Sequence, residues 1–236
     1  MSRISVMTSD WTPLPQVVAR RLQQMILDGE LKSGDQIPSQ RILSGQFNVS
    51  RASLREALLT LETLGLIKTE PGRGTFVTAG QTQEPGSELK WRYSDSFSMQ
   101  DVFETRLMLE GQIVESAVPL MDTTVLSVLR DATDEMERCW DSGDLLANVE
   151  ADLLFHWTIA QACPNQMLRT LYETVRGLVT ETQRQPIPRT NPNRMRASLA
   201  EHRQIIDAIS RADAPAACAA MQSHVRNTAE CAGIVI

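Results

Sequence analysis

The sequence predicts a winged helix-turn-helix of α+β class at the N-terminus and an all-α helical bundle behind it. Three observations carry that reading. Residues 34–77 run through two helix signals separated by a turn and then two short strand-like runs around a Pro-Gly turn. Residues 79–97 lose hydrophobic periodicity and collect Gly, Pro and polar side chains. From Met99 onward the pattern is helical, with no convincing strand.

In the first part, Ser39 is placed to cap a short helix carrying Arg41, Ile42, Leu43 and Phe47, and Asn48-Val49 supplies the turn. Ser50 caps the next helix, where Leu54, Ala57, Leu58 and Leu61 repeat at i, i+3, i+4 and i+7 until Gly65 offers a stop. The spacing predicts one amphipathic helix over residues 51–64. Arg51 and Arg55 share its other face near the N-terminus, where a recognition helix in the major groove places its base-reading side chains. Their guanidinium forks suit the O6/N7 edge of guanine or phosphate oxygens, and Arg41 sits near the start of the supporting helix, beside the DNA backbone. Residues 66–69 and 75–78 read as strands joined by Glu70-Pro-Gly-Arg-Gly74, a wing whose tip, Gly72, Arg73 and Gly74, is suited to the minor groove or phosphates. Taken singly, an Arg pair is only a solvated helix face and a Pro-Gly turn only a turn. Their order and spacing together point to DNA.

These residues also carry a family likeness. Gly34-Asp, Ile37-Pro-Ser-Gln-Arg41, Val49-Ser-Arg51, Leu54-Arg-Glu-Ala57 and Gly72-Arg-Gly-Thr-Phe-Val77 resemble the winged helix-turn-helix of the GntR family of bacterial transcription regulators, over residues 14–77. The departures are Ile37 for the usual Leu and Gln40 for the usual Glu, which leaves Arg41 with one fewer charged neighbour. The resemblance implies DNA contacts by Arg41, Arg51, Ser53 and Arg55, with Gly72 and Arg73 in the wing.

At 236 residues the chain exceeds one average domain. We assign residues 1–78 to DNA binding, 79–97 to a linker and 98–236 to an effector-binding and dimerisation domain. The net charge of −6 argues at first against a nucleic-acid partner, yet residues 1–78 hold 9 Lys/Arg against 7 Asp/Glu while the remainder holds 14 against 22. The acid belongs to the second part. A head so weakly basic needs a dimer presenting two heads, and its DNA affinity is expected to fall steeply with salt. No signal peptide and no apolar run of about 18 residues is visible, which points to a cytoplasmic protein with no membrane partner. Cys139, Cys163, Cys218 and Cys231 show no CxxC spacing and read as buried thiols.

The second part divides into about six helices, over residues 99–119, 122–141, 143–162, 165–184, 193–211 and 214–230, with breaks at Pro, Gly and Asn-rich points. All three histidines of the chain, His156, His202 and His224, fall here. Asp152 and His156 lie one turn apart on one helix face. His202 and His224 are equidistant from Asp213, where the last two helices turn, so an antiparallel hairpin brings them to the same height. One carboxylate and three imidazoles compose a divalent-metal site with room for water or a ligand oxygen. Against this stands the common case of histidines that merely hydrogen-bond in a core. Arg106 and Glu110 interrupt an apolar stripe of Phe103, Ile113 and Ala117, either as an internal ion pair or with Arg106 gripping an acidic effector. Asn165 stands where it caps the helix starting at Gln166, or near a pocket mouth.

Residues 102–231 are similar to the FCD ligand-binding domain of the FadR subfamily. The marks are Glu104-x-Arg106-x-x-x-Glu110, Asp152-x-x-x-His156 with Ala160 and Asn165, Glu201-His202 with Asp207-Ala-Ile209, and His224. The resemblance implies a metal on Asp152, His156, His202 and His224, zinc first with nickel or manganese as alternatives, and an organic-acid effector near Arg106 and Asn165. The sequence is therefore read as a metabolite-responsive transcription regulator and not an enzyme. It is expected to be a homodimeric repressor on a palindromic double-stranded operator, released by a small carboxylate. Two alternatives stay open: a larger ligand of acyl-CoA type above a structural metal, and a metal-dependent hydrolase.

Overall fold

The structure, a computed structural model, describes residues 14–79 and 91–236. The chain forms two compact units dividing at residue 80.

The first unit opens with α1 (Leu14–Leu27), whose Val18, Ala19 and Leu22 are buried and which packs on α3. Neither α1 nor the short β1 (Gln36–Ile37) has a counterpart among the elements expected from the sequence. Next comes α2 (Gln40–Phe47), where one expectation fails: the Ser39 hydroxyl makes no capping hydrogen bond. The turn behind it is made by Asn48 in the left-handed region, at φ 52°, a conformation that asparagine tolerates. In α3 (Arg51–Thr63) Ser50 does cap, accepting from the Ser53 amide, and Leu54, Ala57, Leu58 and Leu61 are buried as their spacing predicts. Gly65, at φ 72°, ends the helix by donating to Glu62 O while Leu66 donates to Leu61 O, both at 3.0 Å.

Two strands follow, β2 (Ile67–Glu70) and β3 (Gly74–Val77), antiparallel with Ile67 opposite Val77 and Glu70 opposite Gly74. The sheet order is β1-β3-β2, with Gln36 opposite Phe76. This third strand braces the wing, because Gln36 Nε2 donates to Arg73 O at 2.8 Å. Gly74 is required there: a Cβ on it would overlap the Gln36 amide, and its φ is 124°.

Of the expected linker, residues 80–90 lie outside the described residues. Residues 91–97 form turns in which Trp91 Nε1 donates to Phe97 O at 2.5 Å, and Trp91 packs against the helical core. The helices are α4 (Met99–Ala117), α5 (Thr123–Ser142), α6 (Leu145–Ala162), α7 (Gln166–Arg184), α8 (Pro192–Ser210) and α9 (Ala214–Cys231), with 3-10 turns at Val118–Leu120 and Ile187–Arg189. Each starts on a side-chain cap, Ser98, Asp122, Asp144, Asn165, Asn191 and Asp213 in turn, which satisfies amides that the first turn leaves open. Helix α4 packs against α9, α7 and α6, while α8 packs against α9 and α5. The core between them is built from Phe103, Ile113, Leu129, Phe155, Ile205 and Val225. No described helix is long and apolar enough to cross a membrane. All four cysteines are free, Cys139 and Cys163 buried as expected but Cys218 and Cys231 only half-buried.

Leu54 is fully buried beneath the exposed face of α3. Replacing it with Ala is expected to cost the first unit about 2–5 kcal/mol, read as an earlier urea midpoint for that unit with the helical unit's transition unmoved.

Candidate functional site

The DNA-facing candidates of the first unit are surface residues. Arg41 on α2 and Arg51 and Arg55 on α3 are exposed. Ser53 is half-buried, its hydroxyl 2.9 Å from that of Ser50. Gly72, at φ 74°, and exposed Arg73 form the hairpin tip. Arg73 Nη1 lies 2.5 Å from Glu70 Oε2, so a phosphate there has to compete with a neighbouring carboxylate.

In the helical unit, α6 supplies Asp152 and His156, α8 supplies His202 and α9 supplies His224. Their ligating atoms all lie within 4.8 Å of one another. His202 Nε2 is 3.0 Å from Asp152 Oδ1 and His156 Nε2 is 3.8 Å from the same oxygen. The rings of His202 and His224 approach to 4.4 Å between centroids, as their equal distance from the Asp213 turn predicts. All three histidines are buried, and Phe155 stands edge-on to His202 at 4.6 Å.

Each ring is held from behind through its other nitrogen. His202 Nδ1 is 2.8 Å from Ser198 O, an acceptor, so that nitrogen carries the proton and Nε2 keeps its lone pair. His224 Nδ1 is 2.9 Å from Glu201 Oε2. Glu201 is itself fixed by both Arg194 nitrogens, at 2.8 and 2.9 Å, and by Asn227 Nδ2 at 2.8 Å. His156 Nδ1 is 2.5 Å from Glu110 Oε2, and Arg106 Nε donates to Glu110 Oε1 at 2.7 Å. Outer partners of this kind orient metal-binding imidazoles and set their tautomers. The contact of His156 Nδ1 with Glu110 Oε2 is a close charge approach without hydrogen-bond geometry, and the buried Nε2 atoms of His156 and His202 make no directed hydrogen bond either, which leaves them open to an ion.

The electrostatics are consistent with that role. Burial pushes the His224 imidazole down to about 4, reinforced by His202, so it is neutral at physiological pH. Burial alone raises the Asp152 carboxyl, but the imidazoles of His202, His156 and His224 around it outweigh that and hold the group well below the usual range. For Glu110, burial is outweighed by Arg106 and His156, and for Glu201 by the bonds from His224 and Arg194; both fall to about 2.

A cavity of about 50 Å³ borders Asp152 and His224, with Gln183, Thr190, Arg194 and Cys231 among its walls. Arg194 was not singled out from the sequence, although it lies two helical turns before Glu201 on the same face. Arg106 borders a different cavity, of about 120 Å³, with Leu109, Tyr172 and Val179. The internal ion pair anticipated for it is present, and Nη1 also donates to Thr182 Oγ1 at 3.0 Å, leaving the buried Nη2 without a partner. Asn165 is found elsewhere: its Oδ1 accepts from the amides of Met167 and Leu168 at 3.0 and 3.3 Å, and it borders neither cavity.

A winged helix-turn-helix joined to an all-α unit with an enclosed polar cluster defines a DNA-binding regulator that carries its own sensor domain. The chain belongs to the gntR family of bacterial regulatory proteins: that family's model matches residues 14–77, and the FCD domain matches residues 101–227. It is 31% identical over 213 residues to the HTH-type transcriptional regulator LutR of Bacillus subtilis, covering 86% of this chain and 94% of that one. It is 30% identical over 166 residues to the Glc operon transcriptional activator of Escherichia coli K12, covering 69% and 65%. Among solved structures, E. coli McbR/YncC matches with a TM-score of 0.51 at 19% identity, over 91% of this chain and 94% of that one, which shows the fold. The families and relatives are transcription regulators, not enzymes.

Arg106 and Glu110 are both fully enclosed, so replacing Arg106 with Leu strands a buried carboxylate. The expected loss is about 3–5 kcal/mol, checked by urea denaturation of the helical unit. The double variant Arg106→Leu/Glu110→Leu is expected to recover much of it.

Proposed function

We propose that this regulator senses a small organic acid at a divalent metal held by Asp152, His156, His202 and His224, and that the acid releases it from its operator. The observation carrying this reading is the convergence of four ligand atoms within 4.8 Å, each imidazole anchored through its far nitrogen. Three nitrogens and one oxygen suit zinc, with nickel or manganese taking further oxygens. Bound there, the ion supplies an electrophilic centre for an effector oxygen. The residues do the rest: Glu110, Ser198 and Glu201 fix the rings, and Arg194 adds positive charge beside the cavity. The size of that cavity favours a short acid over a ligand of acyl-CoA type, since sites for drug-sized ligands run to roughly 300 Å³ and more. Arg106 acts through Glu110 on His156, and Asn165 serves as a helix cap.

On the DNA side, we assign base and phosphate contacts to Arg41, Arg51, Ser53 and Arg55, with Gly72 and Arg73 at the wing. Two heads on one dimer would read a palindromic operator in the cytoplasm. Dimerisation through the bundle is supported by the exposed Leu154, Met167 and Leu171 on the adjoining helices α6 and α7. Release by the effector follows if the acid binds one of two arrangements of the dimer more tightly than the other.

An operator enriched from random DNA provides the assay. Arg55→Ala is expected to weaken binding to it by about 1–3 kcal/mol, and Arg51→Ala similarly, measured by fluorescence anisotropy. The same complex, titrated with a panel of short carboxylates, should dissociate for one chemical class with metal-loaded protein and not after EDTA treatment. Dissociation that ignores EDTA would point to a structural metal; stabilisation of the complex by the acid would make the protein an activator.

A further inference from the structure

Gln183, on the last turn of α7, borders the cavity beside Asp152 and His224 and is only 5% exposed. Neither its Nε2 nor its Oε1 has a hydrogen-bond partner. Four of the other polar side chains around that cavity are engaged within the fold. Asn148 Nδ2 donates to Met136 O at 2.7 Å, Thr190 Oγ1 to Pro186 O at 2.9 Å and Thr228 Oγ1 to His224 O at 2.9 Å, while Arg194 grips Glu201. A buried amide with both ends open is costly, and here it borders the space next to the four-residue cluster.

We propose that Gln183 selects a hydroxyl group on the effector, which makes the preferred ligand class short hydroxycarboxylic acids. The inference rests on the metal-and-acid reading of the same site. A carboxamide offers a donor and an acceptor side by side. An alcohol satisfies both, donating to Oε1 while accepting from Nε2. An oxo or carboxylate oxygen satisfies only Nε2, and a methylene satisfies neither. Because the site supplies a polar group that only the alcohol pairs completely, it discriminates against analogues lacking it. The apolar walls, Met136, Val149, Ile187 and Met195, and the volume of about 50 Å³ keep the carbon chain short, with room for only a few water-sized groups.

The test uses full-length, metal-loaded protein and calorimetric titration with matched acids of two, three and four carbons, each set comprising the unsubstituted, 2-oxo and 2-hydroxy acid. The 2-hydroxy member is expected to bind about tenfold tighter than its partners. In Gln183→Leu and the near-isosteric Gln183→Met, metal content by elemental analysis should be unchanged, the unsubstituted acid should bind as before, and the hydroxyl preference should vanish. Both variants should also raise Tm without ligand, because an unpaired buried amide has been replaced by an apolar group. Acids that bind without a hydroxyl preference, or a preference that survives in both variants, overturn this inference and leave the metal-and-acid reading standing. A lowered Tm in both variants means the amide is already paired in the fold, and overturns it as well. No binding of any acid to metal-loaded protein removes the parent reading and this one together.

Discussion

Three imidazoles and a carboxylate meet inside the helical unit, with the Nε2 atoms of His156 and His202 left without a hydrogen bond, and the surrounding structure is organised around holding them there. An unpaired buried polar atom costs about 1–3 kcal/mol, so a core would not keep such nitrogens pointed at one another unless something repaid it. The anchors behind the rings come from three different sources. A carboxylate on α4 holds His156, a backbone carbonyl one turn earlier on α8 holds His202, and a carboxylate on α8 holds His224 on α9. The packing of α4, α6, α8 and α9 thereby sets the tautomers as well as the positions of the cluster.

Charge gives the arrangement a direction. Glu110, Asp152 and Glu201 are held ionised, and the guanidinium groups beside them are Arg106 and Arg194. Counted over these three carboxylates and two guanidinium groups, the immediate surroundings carry one excess negative charge. A divalent ion reverses that sign, and a monocarboxylate then balances it. On the proposed reading the chain's residues would hold the ion, and the ion would supply the positive charge that an acidic effector needs. The first unit is constrained differently: its cations are exposed and spaced along α2, α3 and the wing, available to a phosphate backbone and screened by salt.

Much of this was legible from the sequence, for reasons that can be named. Helical periodicity and caps located α3 and the six helices of the second unit, because apolar spacing and Asp, Asn or Ser at helix starts are local signals. The meeting of His202 and His224 followed from their symmetry about Asp213, and that of Asp152 and His156 from a four-residue spacing. The wing hairpin was legible from its Pro-Gly turn, but the strand that braces it was not. The two residues of β1 carry no strand pattern of their own and exist because β3 offers an edge. The Glu110 contact to His156 joins residues on separate helices, and so does the clasp of Glu201 on His224. Gln183 looks like any polar residue near a helix end until the packing around it leaves the amide enclosed. For Asn165, two roles were open from the sequence, and its side chain performs the capping one.

The most direct measurement is the metal content of the purified full-length chain, by elemental analysis, alongside a His202→Ala variant whose helical content matches the parent. One divalent ion per chain, lost in the variant, is the result that a cluster built to hold an ion predicts. A parent chain that is metal-free, and whose Tm does not move when zinc, nickel or manganese is added, would contradict it and leave the three histidines as ordinary core residues.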